Sequence, residues 1–124
     1  MSKVSIDQLE HVLTDRGSKY AVSGASAHSK ADALAVVKTL CNKKKYAKAT
    51  HNTWALILSD GAQIKNDDGE SGAGLIVLRM LEEKQLFDHV VIVTRWYGGV
   101  HLGGDRFRHV KRCVQAYFQS FVEV

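Results

Sequence analysis

The clearest pattern of apolar and polar positions is a strand, a glycine-rich turn and a helix near the C-terminus. Four consecutive β-branched aliphatic residues, at positions 90–93, predict a buried strand. Two glycine pairs follow, at 98–99 and 103–104, where the backbone can turn sharply or let another group approach. Apolar residues then recur at helical spacing over residues 107–121, and Asp105 occupies the predicted N-cap position.

Shorter patterns predict the other elements. A capping box at residues 5–8, followed by Leu9 and Leu13, predicts a short N-terminal helix. Helices are also predicted at residues 30–41, capped by Ser29, and after Ser71 to about residue 84. Runs of β-forming residues predict further strands at residues 19–27, 50–59 and 62–66, the last two joined by a hairpin at Asp60-Gly61.

The predicted order is therefore a short helix, β, α, ββ, α, β, α. This order is typical of an α+β protein, here a two-layer α/β sandwich with helices on one face of a mixed, largely antiparallel four-stranded sheet. The strand at residues 90–97 is apolar on both faces for part of its length, which predicts a central position. Without an internal repeat or a linker, residues 1–124 are expected to form a single domain.

Composition narrows the class of protein. Of the 124 residues, 45% are apolar and 24% charged, proportions that fit a globular protein and argue against a disordered one. No apolar run approaches the roughly 20 residues that a membrane helix needs, so no membrane partner is expected. The cysteines, Cys41 and Cys113, are expected to be buried free thiols in a cytoplasmic protein.

Charge is distributed unevenly along the chain, whose formal net charge is +4. A lysine cluster without acids consists of Lys38, Lys43, Lys44, Lys45 and Lys48. A second basic cluster lies at residues 95–112, and residues 60–88 between them are acidic. Such zones are typical of a protein that binds other macromolecules, although ordinary solvated helix faces give the same pattern.

The acidic turn offers a candidate for catalysis or metal binding. Asp67, Asp68 and Glu70 could hold Mg²⁺ or Mn²⁺, with His28 or His51 adding a nitrogen ligand. Alternatively, the same carboxylates are stabilised by the free N–H groups at the start of the next helix. EF-hand spacing is absent, and neither a bound metal ion nor another cofactor is expected.

The last predicted helix carries a candidate anion- or partner-binding face. Arg108, Lys111 and Arg112 occupy one side at i, i+3 and i+4 spacing, and Arg106 lies two residues before Arg108 in the same basic cluster. Basic side chains near aromatic ones suit contacts with phosphates and bases. A solvated helix face remains the alternative interpretation.

Three residues at the end of the central strand could extend that surface. Arg95, Trp96 and Tyr97 offer a cation and two aromatic rings that each carry a hydrogen-bonding group. Arg95 emerges from a central strand, so we expect it to pair with one carboxylate of the acidic turn instead. The turn would then be that arginine's structural partner.

Four stretches, taken in order, resemble the motifs of the IMPACT family, which includes the bacterial YigZ proteins. They are Ala27-His28, residues 49–52, residues 67–70 with Ala73-Gly74, and residues 95–99 with Leu102-Gly103 and residues 105–107. Together they span about residues 19–120, and Trp96 and the Asp105-Arg106-Phe107 sequence resemble the eukaryotic branch. The candidate family-motif surface comprises His28, His51, Asp67, Asp68, Glu70, Arg95, Trp96, Tyr97, Gly98 and Gly99.

The resemblance implies a fold like the second domain of a small-subunit ribosomal protein, with a left-handed βαβ crossover. It also implies a role in translational control. Eukaryotic members restrain the starvation-activated translation-initiation kinase by competing for its ribosome-bound coactivator, and they associate with ribosomes and actin. This chain is expected to represent an isolated IMPACT domain, without the N-terminal RWD domain or the C-terminal ferredoxin-like domain of bacterial relatives.

Three hypotheses for function follow. The first is a non-enzymatic regulatory binding domain that acts through protein partners of the translation machinery. The second is a general RNA- or ribosome-binding module that uses the basic helix. The third is a hydrolase or metal enzyme built on His28, His51, Asp68 and Glu70.

Overall fold

The computed structural model describes residues 4–123, in which five strands and four α-helices follow one another in the order β, β, α, α, β, β, α, β, α. The strands are β1 (Asp7–Asp15), β2 (Ser18–Ser26), β3 (His51–Ile57), β4 (Gln63–Asn66) and β5 (His89–Trp96). The helices are α1 (Lys30–Cys41), α2 (Lys44–Ala47), α3 (Ala73–Lys84) and α4 (Asp105–Tyr117), and α4 continues into a π-helical turn, Phe118–Val122. None of these helices is long and apolar enough to cross a bilayer.

The strands form one sheet in the order β1-β2-β5-β3-β4, so β5 is central as predicted. Every pair of neighbouring strands in this sheet is antiparallel. Successive β5 side chains enter two different hydrophobic clusters. Val91 and Val93 pack with α3 and α4, whereas Val90 and Ile92 pack with α1 and α2. Helices therefore cover both faces of the sheet.

The α+β class is confirmed, but three details of the predicted architecture are wrong. The sheet of the described residues has five strands rather than four, it is antiparallel rather than mixed, and its helices lie on two faces rather than one. Because helices cover both faces of the sheet, β2 is buried on both sides. Ala21 and Ala25 lie under α1, while Tyr20 and Val22 lie under α4.

The predicted N-terminal helix is instead strand β1. Arg16 and Gly17, both with positive φ (47° and 84°), form a tight two-residue turn that leads β1 into β2. The pairing shifts register between Leu9 and Leu13, and Val12 and Leu13 both contact the same cluster. This irregularity breaks the alternation of a strand and leaves apolar positions at spacings that resemble a helix.

The start of α1 is as predicted, and the helix buries one face against the sheet. Ser29 caps the helix by accepting a hydrogen bond from the Asp32 backbone N–H (3.0 Å), as predicted. The buried residues are Ala33, Val36 and Leu40, whereas Leu34 is exposed. The helix packs its smaller side chains inward because the facing surface of the sheet already carries Trp54 and Ile92.

Two crossover connections have opposite handedness. The β2–α1–β3 and β4–α3–β5 units each join strands of the same direction across one intervening strand. They start from oppositely directed strands, move in opposite directions across the sheet and place their helices on opposite faces. Each of these three differences reverses the handedness of a crossover. Because three is an odd number, the two crossovers have opposite hands, and one of them is left-handed, against the usual right-handed preference. The family resemblance implies such a crossover.

Candidate functional site

Four elements bring charged side chains together at one end of the sheet. His51 begins β3 and lies directly opposite Arg95, near the end of β5, in the strand pairing. Glu70 belongs to the acidic turn before α3, and Arg106 lies in the first turn of α4. Residues distant in sequence therefore meet where β3 starts and β5 ends.

Glu70 is the centre of this group and is only 3% exposed. Its carboxylate lies 2.9 Å and 3.1 Å from Nη1 of Arg95. Oε2 is also 3.5 Å from Nε2 of His51 and 3.8 Å from Nη1 of Arg106. Two guanidinium groups thus surround one carboxylate, which leaves an excess of positive charge.

Arg95 is buried, with 5% of its surface exposed, and pairs with the acidic turn as predicted. Its guanidinium lies 5.8 Å and 5.7 Å from the ring centres of Tyr20 and Tyr97, and Nη2 donates to Ser18 Oγ (3.4 Å). Because of these contacts Arg95 stabilises the interior and does not extend the exposed basic surface.

His51 is oriented by the acidic turn. Its Nδ1 lies 2.8 Å from the carbonyl oxygen of Asp68. A carbonyl oxygen only accepts hydrogen bonds, so Nδ1 carries a proton and Nε2 is directed towards Glu70. Gly69, at φ 87°, allows this approach, since a Cβ there would lie 3.1 Å from Nδ1 of His51.

The three carboxylates of the acidic turn diverge. The Asp67 carboxylate accepts hydrogen bonds from the backbone N–H groups of Gly72 (3.0 Å) and Gly74 (2.7 Å), and the first of these chiefly lowers its pKa. Asp67 thereby caps α3, a role predicted for Ser71. The Asp68 carboxylate accepts from the Asn52 backbone N–H (2.7 Å). Among residues 4–123, no three His, Cys, Asp or Glu side chains are grouped to hold a metal ion.

His28 does not join this site, so the four-residue catalytic arrangement predicted for a hydrolase is not formed. It follows the end of β2 that pairs with the start of β5, roughly 20 Å of strand away from Arg95. Its Nδ1 lies 3.5 Å from Oδ2 of Asp88. The Ser59 hydroxyl and backbone N–H donate to Asp88 and lower its pKa.

Trp96 and Tyr97 have different environments. The Trp96 indole N–H donates to the Lys45 carbonyl (2.9 Å), and its ring packs edge-on against Tyr46 at 5.2 Å. Trp96 therefore holds α2 against the sheet and is not free to stack on a nucleic-acid base. Tyr97 is exposed at the rim of the site, with the His101 ring 5.6 Å away.

The first glycine pair of the turn has a packing explanation. A Cβ on Gly98 would lie 2.0 Å from the backbone carbon of Gly17, so the turn after β5 crosses directly over the β1–β2 hairpin. The Gly98 N–H also donates to Ser18 Oγ (3.2 Å). Gly99 has φ 92° and nothing near its missing side chain. Its role is conformational.

A cleft of about 480 Å³ opens above Glu70. Its lining residues come from the acidic turn, β3, β5 and the loop before α4, and they are Thr50, His51, Gly69, Glu70, Arg95, Tyr97, His101, Leu102, Gly103 and Arg106. Leu102 is buried and anchors the loop that carries His101. Sequence reasoning missed Thr50 and His101 because nothing in their spacing relates them to Glu70.

The basic residues of α4 fall into two groups. Arg108, Lys111 and Arg112 are exposed on the helix, consistent with a solvated face as well as a binding face. Arg106, predicted to join them, instead turns towards Glu70 and lies 4.6 Å from the Phe107 ring centre. The lysine cluster of α1 and α2 lies on the opposite side of the sheet from α4.

A second polar network, missed in the sequence, ties the hairpin to α4. His109 is buried, and its Nε2 lies 2.7 Å from Oδ2 of Asp15. Arg16 pairs with both Asp15 (3.1 Å) and Asp105 (2.6 Å). Asp105 is therefore an ion-pair partner in the first turn, and Gly104 occupies the N-cap position predicted for it.

These features define a small α+β domain whose sequence motifs converge at one end of an antiparallel sheet. Residues 16–118 match the model of the Impact N-terminal domain family. The chain belongs to this family, as its motifs predicted.

Proteins of the same family in other organisms share about a third or more of the sequence. The IMPACT homolog of Caenorhabditis elegans is 40% identical over 106 residues, covering 80% of this chain and 41% of that protein. The homolog of Saccharomyces cerevisiae is 36% identical over 104 residues, covering 79% of this chain and 40% of that protein. The chain thus spans about two fifths of the length of these relatives.

Solved structures share the fold. A crystal structure of a hypothetical protein superposes with a TM-score of 0.79 at 20% identity, over 93% of this chain and 57% of that one. The two-domain translational regulator Yih1 superposes with a TM-score of 0.55 at 31% identity, over 90% of this chain and 45% of that one.

Proposed function

We propose that this chain is a non-enzymatic regulatory binding domain that acts in translational control through protein partners of the translation machinery. Family membership and the similarity to a translational regulator support the general role. Restraint of the starvation-activated initiation-factor kinase pathway, with ribosome or actin association and a cytoplasmic location, is the finer form of the same proposal.

The observation that carries the protein-partner part is a groove of about 480 Å³ between α3 and α4. Its apolar lining is formed by Leu75, Ile76 and Met80, and Leu75 is 42% exposed. Its polar lining is formed by Arg79, Glu83, Lys111 and Gln115. An apolar centre with a charged rim, and a flexible methionine within it, is typical of protein-binding surfaces.

Charge indicates the chemistry of the partner segment. On the α4 side, Lys111 lines the groove, and Arg108 and Arg112 are exposed on the same helix. On the α3 side, Arg79 is already paired with Glu82 (3.2 Å). The groove therefore suits an amphipathic segment with apolar anchors and acidic residues along the edge that faces α4.

The test is affinity capture from native extract with and without RNase, using the wild type and two matched variants. Arg108→Ala/Lys111→Ala/Arg112→Ala removes Lys111, which lines the groove, and two further exposed charges of α4. Lys38→Ala/Lys44→Ala/Lys48→Ala removes three exposed charges from the other side of the sheet. We expect initiation factors or ribosomal proteins to be retained after RNase treatment, lost with the α4 variant and kept with the lysine variant. Capture that vanishes with RNase, or that falls equally with both variants, contradicts the proposal.

The RNA- or ribosome-binding module is the second candidate, favoured by the exposed lysines of α1 and α2 and the exposed ring of Tyr97. Two contacts remove Arg95 and Trp96 from the surface that was predicted to bind phosphates and bases. Arg95 is paired with Glu70 inside the protein, and Trp96 is packed on Tyr46. The remaining basic zones lie on opposite faces of the sheet, so one nucleic-acid strand cannot contact both along a single continuous surface.

A further inference from the structure

Arg106 has an unusual environment for a guanidinium. Its side chain is only 34% exposed, and its Nε is buried without a hydrogen-bond partner among the described residues. The nearest carboxylate oxygen, on Glu70, is 3.8 Å from Nη1, which is longer than a hydrogen bond. Partly buried guanidinium groups, with five donors each, normally have acceptors within reach.

The surroundings do not supply the missing negative charge. Glu70 already accepts hydrogen bonds from Arg95. Arg95 is more than nine-tenths buried, and its own Nε has no hydrogen-bond partner among the described residues. Two guanidinium groups therefore share one carboxylate. The cleft above them has a net positive charge from these three side chains.

The cleft has room for a ligand and donors on several sides. Its volume of about 480 Å³ falls within the usual range for small-molecule sites. Arg106 lines one part, His51 and His101 line others, and Tyr97 lies at the rim. A side chain at Gly103 or Gly104 would meet no atom within 4 Å, so the approach beside α4 is open.

We propose that this cleft binds a phosphate monoester, held between Arg106 and the His101 imidazole. A phosphate monoester is anionic and presents more acceptor oxygens than a carboxylate does, and its three free oxygens suit donors that converge from different directions. A guanidinium presents paired N–H groups that match two of these oxygens. The source of the phosphate is either a free nucleotide-sized molecule or the 5′ end of an RNA, since both present the same group.

Calorimetric titration of the whole chain tests this site, with inorganic phosphate, AMP, adenosine and succinate as probes. We expect phosphate and AMP to bind, and adenosine and succinate to bind at least tenfold more weakly. Arg106→Gln should weaken AMP binding about ten- to hundredfold, the effect of losing charge-assisted hydrogen bonds. Arg108→Gln, an equal charge change on the same helix outside the cleft, should leave AMP binding unchanged.

Several results would overturn the site. They are absence of binding by phosphate and AMP at millimolar concentration, equal binding of succinate, and equal losses in the Arg106 and Arg108 variants. An unchanged melting temperature of Arg106→Gln shows that a loss of binding is not a loss of folding. A 5′-phosphorylated oligoribonucleotide compared with its 5′-hydroxyl form identifies the source. Preference for the phosphorylated RNA over AMP assigns an RNA end, and the reverse assigns a free nucleotide.

Discussion

Glu70 and Arg95 form an ion pair beneath the surface, with Nη1 of the arginine 2.9 Å from one carboxylate oxygen and 3.1 Å from the other. The pair joins the turn before α3 to the last residues of the central strand. Both side chains are almost completely shielded from water. Their separation would leave an uncompensated charge in the interior.

We therefore expect Arg95→Ala to lower the free energy of unfolding by about 3 kcal/mol, the lower end of the range for a broken buried pair. The lower end applies because Arg106 and His51 still lie near Glu70. Urea unfolding measures the change. Arg108→Ala, which removes an exposed arginine, should change stability by no more than about 0.5 kcal/mol.

A double-mutant cycle with Glu70→Ala distinguishes the pair from two independent contributions. If the residues act together, the double variant should lose less stability than the sum of the single variants. Additive losses would mean that each side chain stabilises the fold by separate packing. The acidic turn would then need another explanation.

The sequence predicted the contact between Arg95 and the acidic turn because both chemical types and the central strand were visible in it. It could not predict which carboxylate accepts the hydrogen bonds of Arg95. Asp67 and Asp68 instead accept hydrogen bonds from backbone N–H groups, whose positions depend on the fold. The separation of His28 from His51 likewise depends on strand order, which a single sequence does not encode locally.

The elements were predictable where apolar periodicity is regular, as in β5 and α4. β1 was not, because its register shift between Leu9 and Leu13 disrupts the alternation of a strand. The second helical layer was also missed. The alanines at 21 and 25 carry too little hydrophobic area to indicate a packed surface, yet α1 lies on them.

Gly98 should tolerate no side chain. A Cβ there would meet the Gly17 backbone carbon at 2.0 Å, so the two turns would have to separate. We expect Gly98→Ala to cost about 1–3 kcal/mol in urea unfolding, the usual cost of overpacking. Gly104→Ala is the matched control. Its φ is −67° and its Cβ would meet nothing within 4 Å, so it should be neutral or slightly stabilising.

The Asp15 network should contribute to stability in a defined range of pH. Hydrogen bonds from the Arg16 guanidinium and, to a smaller extent, from His109 lower the pKa of Asp15 to about 2. The pKa of an aspartate in an unfolded chain is about 3.9. The stabilisation is therefore complete above about pH 4 and is lost as pH falls towards 2. The stability difference between wild type and Asp15→Asn should shrink over this range in urea titrations. A difference that stays constant from pH 7 to pH 2 would contradict the assignment.

The two thiols should react at different rates. Burial raises the pKa of Cys113 to about 12, and it raises the pKa of the half-buried Cys41 as well. At pH 8 we expect Ellman's reagent to label Cys41 in the folded protein and Cys113 only when the chain unfolds. In Cys41→Ser, the labelling rate should follow global unfolding in urea. Rapid labelling of that variant without denaturant would show that Cys113 is accessible.

Salt dependence of RNA binding separates the two interpretations of the basic helix. If Arg108, Lys111 and Arg112 each contact a phosphate of single-stranded RNA, their triple alanine variant should flatten the log–log salt slope by about 2, at roughly 0.7 per contact. The triple lysine variant of α1 and α2 should then leave the slope unchanged. The salt slopes of both triple variants are measured by fluorescence anisotropy of a labelled oligoribonucleotide, between about 50 and 200 mM salt.

We expect a different result, in which both triple variants weaken a shallow salt dependence to the same small extent. The reason is geometric. The two basic zones are separated by the sheet, Arg95 is neutralised by Glu70, and Trp96 is packed against Tyr46. Without a continuous path of cations and stacking rings, single-stranded RNA has only weak, sequence-independent attraction to each zone. A slope change confined to the α4 variant would instead make the last helix an RNA-binding face and would contradict the protein-partner proposal.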